Sequence, residues 1–195
     1  YFNDSTAVNW LKNQKTIALY TKNHDEQRYG PGWAWEDYDT YFSPEKSTLP
    51  LYGNVATISN NGALKVSPKY FEDQTMVKDT TIKRVEFKNQ FYIAPMEQDT
   101  LEVPYMTSDS LTKHLLEIAT GKEIFLTQHY PEGEKQTLYG IETDSIYKRM
   151  LLKSDNFLAE QLLLAASGMV SDTLSTQNAI DYMLDNHFKD LKQQP

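Results

Sequence analysis

The 195 residues carry a net charge of −8, with 39% hydrophobic side chains, 24% charged side chains and no cysteine; acidity spread along such a chain argues against nucleic-acid and other polyanion partners. The length suffices for one large domain or two small ones, and the lack of thiols excludes disulfides, thiolate catalysis and cysteine-ligated metal while leaving the compartment open. No apolar run approaches the roughly 20 residues needed to span a bilayer, and no charged-then-apolar leader opens the chain, so neither a transmembrane segment nor a signal peptide is expected within it.

In chain order, residues 5–12 read as a short helix, Ile17–Tyr20 as a strand, and His24-Asp25-Glu26 as part of an exposed polar loop. None of His24, His114, His129 and His187 belongs to a His-x-x-x-His pair, so no metal site is expected. The next stretch, Tyr29-Gly30-Pro31-Gly32-Trp33-Ala34-Trp35-Glu36-Asp37-Tyr38, combines turn formers with large rings. It predicts a fixed irregular turn pinned by Trp33 and Trp35, serving as a structural corner or a functional loop. The aromatic density from Tyr29 to Phe42 also admits a sugar-stacking surface.

Residues 51–105 read as a mostly antiparallel β module, with strands near 55–58, 82–87 and 90–94. Lys88-Asn89 is the expected hairpin turn between the last two, and Asn60-Asn61-Gly62 marks another turn. From Ser108 the helical period takes over, with Leu111, Leu115, Ile118 and Ala119 inward and Gly121 as the stop, before a strand at Ile124–Thr127. A helix from about Asp144 presents Ile146, Met150 and Leu151. After Ser154-Asp155-Asn156, a second helix presents Phe157, Leu158, Leu162 and Ala165. A last helix from about Ser175 places Ile180, Met183, Leu184, Phe188 and Leu191 on one stripe. The organisation expected is a β-rich region over 1–107 and a mainly helical one over 108–195.

A polar tripeptide between two apolar helical runs has two readings. Ser154 or Asp155 caps the second helix, or Ser-x-Asn belongs to the acyl-transfer set that it forms with Ser-x-x-Lys and Lys-Thr-Gly. The Tyr29 to Tyr38 stretch, Leu51-Tyr52-Gly53-Asn54, and Met150-Leu-Leu-Lys-Ser154-Asp-Asn156-Phe-Leu-Ala-Glu160 together resemble the D-alanyl-D-alanine carboxypeptidase/endopeptidase family, the low-molecular-mass class C penicillin-binding proteins. The similarity spans roughly residues 28–191 and is weakest between about 60 and 100.

The resemblance implies an α+β fold: a fragment of a penicillin-binding (serine β-lactamase-like) fold, with a β-rich inserted module followed by helices of the catalytic domain. It further implies a serine hydrolase of peptidoglycan stem peptides in the periplasm or cell envelope of a bacterium, a β-lactam target needing no cofactor. Ser154 would shuttle a proton to the leaving amine, and Asn156 would hold the catalytic lysine and the substrate amide. Asp37 would meet the free amino end of a diaminopimelate side chain, with Phe42 lining that subsite. Asp155 is expected to cap the following helix.

Ser-x-x-Lys upstream of the aromatic turn and Lys-Thr-Gly downstream of Ser-x-Asn do not occur here, so the chain reads as an internal piece. Three strings fit Ser-x-x-Lys by letter, starting at Ser43, Ser110 and Ser145. Ser43 is followed by Pro44 and soon by Pro50, which leaves little room for a buried helix. Ser145 precedes Ser154 by nine residues, about 13 Å along a helix. Ser110 lies on the wrong side of the aromatic turn for this family. Two alternatives compete: a non-catalytic envelope-binding module of the same fold, and a class A β-lactamase, which has no counterpart to the aromatic turn and β insertion.

Overall fold

The computed structural model describes residues 5–191. In chain order these form α1 (Thr6–Lys12), β1 (Ile17–Tyr20), β2 (Val55–Ser59), β3 (Lys65–Ser67), β4 (Thr75–Val77), β5 (Phe91–Ile93), β6 (Leu101–Pro104), α2 (Asp109–Thr120), β7 (Ile124–Thr127), α3 (Thr143–Lys153), α4 (Asn156–Ser167) and α5 (Thr176–Asn186). The fold is α+β, as expected.

The central sheet is antiparallel in the order β3-β2-β6, with Ile58 opposite both Val66 and Leu101. Gly62, at φ 80°, closes the turn that Asn60-Asn61-Gly62 announces, because a left-handed residue there returns β3 against β2. Two smaller pairings are parallel: β1 with β7, and β4 with β5. Within the region expected to be mostly antiparallel, β4–β5 is the parallel exception among the named strands. The Lys88-Asn89 hairpin forms in short measure, as an antiparallel bridge between Arg84 and Phe91 flanked by hydrogen bonds from Val85 N–H to Gln90 O (2.9 Å) and from Tyr92 N–H to Lys83 O (2.8 Å). The cause is Arg84, 1% exposed, whose guanidinium donates to the carbonyls of Tyr38 (3.0 Å), Val85 (3.2 Å) and Glu86 (3.0 Å). Turning the Val85 and Glu86 carbonyls toward a buried cation keeps the ladder from extending.

Phe71, Phe91 and Tyr105 centre the main core, with Phe71 5.2 Å from Phe91 and 5.0 Å from Tyr105 between ring centroids. Ile17, Leu116 and Ile124 form a second, smaller core. Helix α2 serves both, since Leu111 and Leu115 enter the first and Leu116 the second. Ser108 Oγ accepts from the Leu111 amide at 3.1 Å, and Gly121 ends the helix at φ 68°. Because α2 packs on two sides, its buried face turns toward Leu116 and Thr120, and Ile118, expected inside, is 50% exposed.

The C-terminal helices depart further from their apolar patterns. None of the residues of α3 is buried, and Leu151 and Leu152 lie open. In α4 the buried residues are Phe157, Gln161, Leu164 and Ser167; Leu158 and Leu162 are half-buried and Ala165 is exposed. A polar residue, Gln161, turns inward to meet backbone groups, and that rotates the face away from the one hydrophobicity alone indicates. Only Ala179 of α5 is buried, so the expected stripe of Ile180, Met183, Phe188 and Leu191 faces outward.

Candidate functional site

Helix α3 ends at Ser154, which adopts the left-handed conformation at φ 49° and ψ 47° and donates its amide to the Met150 carbonyl. The Asp155 amide also reaches Met150 O, at 2.9 Å, so two donors close the last turn of α3. Asp155 then caps α4, its carboxylate accepting from the Leu158 amide at 2.9 Å; the expectation that Asp155 caps is met. A turn this tight separates two helices by only Ser154 and Asp155 and leaves Ser154 and Asn156 exposed on either side of the half-buried Asp155. A non-glycine residue held left-handed costs roughly 1–2 kcal/mol, strain of a kind that gathers at functional positions.

The aromatic stretch supplies the opposite wall. Trp33 is half-buried, and its indole lies over Gly30, where a Cβ would come within 2.8 Å of Cε2. Trp35 is 65% exposed and pins nothing, contrary to expectation. A short 3-10 turn, Trp35–Asp37, follows, with the Asp37 carbonyl accepting from the Thr40 amide (2.9 Å) and hydroxyl (2.6 Å). Tyr38 stacks on the Arg84 guanidinium, 4.9 Å from the ring centroid, and its hydroxyl donates to Arg84 O. Tyr41 and Phe42 meet edge to face at 5.4 Å and remain exposed.

These two walls share one cleft of about 560 Å³, lined by Tyr41, Phe42, Glu102, Lys153, Ser154 and Asn156 among others. Phe42, Ser154 and Asn156 therefore come together, whereas Asp37 is off the lining, half-buried and five residues before Phe42. Among the described residues, none donates a hydrogen bond to the Asp37 carboxylate. The lining carries Lys153 and Arg149 with Glu102 and Asp155, the Arg149 Nε lying 3.5 Å from Asp155 Oδ2. An apolar ring facing amide and hydroxyl groups, with both signs of charge at hand, suits a zwitterionic peptide. Tyr41, Glu102 and Arg149 were not foreseen; Arg149 and Asp155 lie on either side of the break at Ser154, and no helical spacing joins them.

Behind the aromatic wall, Ser43–Ser47 is a buried polar segment, which its Ser-Pro-Glu-Lys-Ser composition does not betray. Lys46 Nζ lies 2.8 Å from Glu26 and 3.4 Å from Glu160, its side chain 2% exposed. Glu45 accepts from the Thr107 amide and hydroxyl, both at 2.8 Å. The Ser43-to-Lys46 string thus fails as a nucleophile and base: the hydroxyl is inaccessible, and the lysine is tied to two carboxylates rather than to the serine. Lys113 is likewise paired, with Glu117 at 2.6 Å, and the Ser145-to-Lys148 string is exposed on α3. The loop at His24-Asp25-Glu26 is less exposed than expected. Burial lowers the His24 pKa despite the nearby Glu26 carboxylate. Burial acts to raise Glu26, but hydrogen bonds from Lys46 and Thr176 outweigh it and hold the carboxyl below its usual range. Among the described residues no cluster of histidine and carboxylate groups could hold a metal ion, and no helix is long and apolar enough to cross a membrane.

The fold is similar to that of penicillin binding protein 4 (dacB) from Haemophilus influenzae, with a TM-score of 0.56 at 19% sequence identity. The match covers 92% of this chain and 48% of that one, so the chain spans about half of that protein's length. No family model and no curated protein matches the sequence. The α+β fold is therefore that of part of a penicillin-binding protein.

Proposed function

We propose that this chain is the part of a serine-type D-Ala-D-Ala carboxypeptidase/endopeptidase that grips a peptidoglycan stem peptide and presents Ser-x-Asn to it, in the periplasm or cell envelope of a bacterium. The observation that carries this reading is the shared cleft: Phe42, from the aromatic turn, and Ser154 and Asn156, more than a hundred residues later, line one depression. In the proposal residues 1–107 supply the inserted β-rich region and residues 108–195 the helical return, joined by the β1–β7 pairing. Asn156 offers an amide to the peptide backbone, and Ser154 relays a proton toward the leaving amine. Asp37 and Phe42 select the side chain, the carboxylate by pairing with an ammonium and the ring by contact with the methylene stem. The acyl-enzyme forms on a serine activated by a lysine outside these residues, and β-lactams are the corresponding inhibitors.

A direct consequence is that the 195-residue chain grips but does not react. No described serine combines access with a lysine free of carboxylate partners on a buried helical face, so nothing lowers the barrier to attack. Mass spectrometry after incubation with penicillin should show the unmodified mass. A stoichiometric adduct would overturn the assignment of the chain to the non-nucleophilic part, and an adduct on Ser110 would identify the nucleophile.

A further inference from the structure

Phe42 and Asn156 line the same cleft but stand on segments far apart in sequence. Five residues beyond Phe42 lies Ser47, and five residues beyond Asn156 lies Gln161. These two residues, 114 apart in sequence, are clasped together. The Gln161 amide, 8% exposed, accepts from Ser47 N–H at 3.1 Å and donates to Ser47 C=O at 3.2 Å. Beside it, the buried Lys46 ammonium binds Glu160, the residue before Gln161, and Glu26.

On its other side the Ser47 segment is anchored to the core. Asn54 Nδ2 donates to Glu45 O (2.7 Å) and Ser47 Oγ (2.8 Å), while the buried Tyr105 hydroxyl donates to Leu51 O (2.6 Å) and Asn54 Oδ1 (3.3 Å). The aromatic wall thereby belongs to the β core. The Ser-Asp-Asn wall joins it through α4, a rigid arm of roughly 7.5 Å from Gln161 to Asn156 at about 1.5 Å per residue. An apolar residue at 161 would leave two buried backbone groups of Ser47 unpaired. A clasp that sacrifices an apolar position on the inner face of a helix calls for a reason beyond packing.

We propose that Gln161, backed by the Lys46–Glu160 pair, is a positioning residue that sets the separation of the two cleft walls and so the side chain the cleft admits. This rests on the reading of the cleft as a peptide site. The chain contains no cysteine, so spin labels on Tyr41→Cys and Lys153→Cys report the wall separation without background. The labelled chain should show one narrow distance. Gln161→Leu should move it to longer values and broaden it, and Glu160→Gln should do the same to a smaller extent, both with far-ultraviolet circular dichroism unchanged. Affinity for a stem peptide with a free side-chain amine should fall about tenfold in Gln161→Leu. A folded Gln161→Leu chain with an unaltered distance overturns the proposal. Should that variant not fold, Glu160→Gln decides alone, an unaltered distance again counting against it. If the chain with Gln161 intact binds no stem peptide, the reading of the cleft fails, while the distance measurement still judges the clasp.

Discussion

Ser154 is the residue at which stability and the proposed function pull apart. Its left-handed backbone ends α3 and allows Asp155 to cap α4 immediately afterwards, yet glycine would adopt that conformation without steric penalty. Ser154→Gly should therefore raise stability by about 1 kcal/mol, read as a higher denaturation midpoint, while Ser154→Ala should not. Equal behaviour of the two variants would mean that the backbone at 154 is unstrained. The capping role of Asp155 was legible in the sequence, since aspartate before an apolar helical run is a start signal with a local cause. Gln161 was not. Its partner is a backbone 114 residues away, and no local rule distinguishes a glutamine that clasps from one that faces water.

At the scale of elements, the aromatic stretch behaves as an ordered turn, but by other means than its two tryptophans suggest. One ring, Trp33, packs on Gly30, and a buried arginine organises the rest. Gly30→Ala would drive a methyl group into the indole and should cost about 1–3 kcal/mol, the usual price of overpacking, whereas Trp35→Ala at an exposed ring should stay within about 0.5 kcal/mol. Thermal denaturation of the two variants separates these expectations; similar losses would show that Trp35 is also an anchor. The regular elements, β1, β2, α2, β7 and the last three helices, were readable because period and caps are local properties. The Lys88-Asn89 hairpin is shorter than its pattern indicates because the buried Arg84 draws the Val85 and Glu86 carbonyls to its guanidinium, and that demand outweighs strand propensity. The buried faces of α2 and α4 matched at Leu111, Leu115 and Phe157 but were rotated elsewhere, and that of α5 was misplaced, for a related reason: periodicity gives a stripe, but which side of it is covered depends on neighbours far along the chain.

For the whole molecule, the polar junction near His24, Glu26 and Lys46 joins the N-terminal loop to α4 and to the start of α5, where Glu26 accepts from the Thr176 amide and hydroxyl. Both titrating groups are held below their ordinary pKa values. The unfolded chain then binds more protons than the folded one, so their stabilisation is complete above the unfolded values and is lost as pH falls through the folded ones. Melting temperature should decline as pH drops from 7, first through the histidine range and then through that of Glu26, and Glu26→Gln should remove the lower step. A melting temperature that rises between pH 7 and 5 would refute this. The charged groups facing the pair are Lys46, Asp25, Asp109 and Glu160.

The central claim is that the cleft between the aromatic turn and Ser-Asp-Asn receives a stem peptide by its free side-chain amine. The most direct test is a nuclear magnetic resonance titration of the 195-residue chain with two peptides that differ only in acetylation of the diaminopimelate amine. The account predicts that the free-amine peptide perturbs Phe42 and Asn156 together, and that acetylation or Asp37→Ala weakens binding about tenfold, in keeping with loss of a charge-assisted hydrogen bond. Perturbations elsewhere on the molecule, or equal affinity for the two peptides, would contradict it.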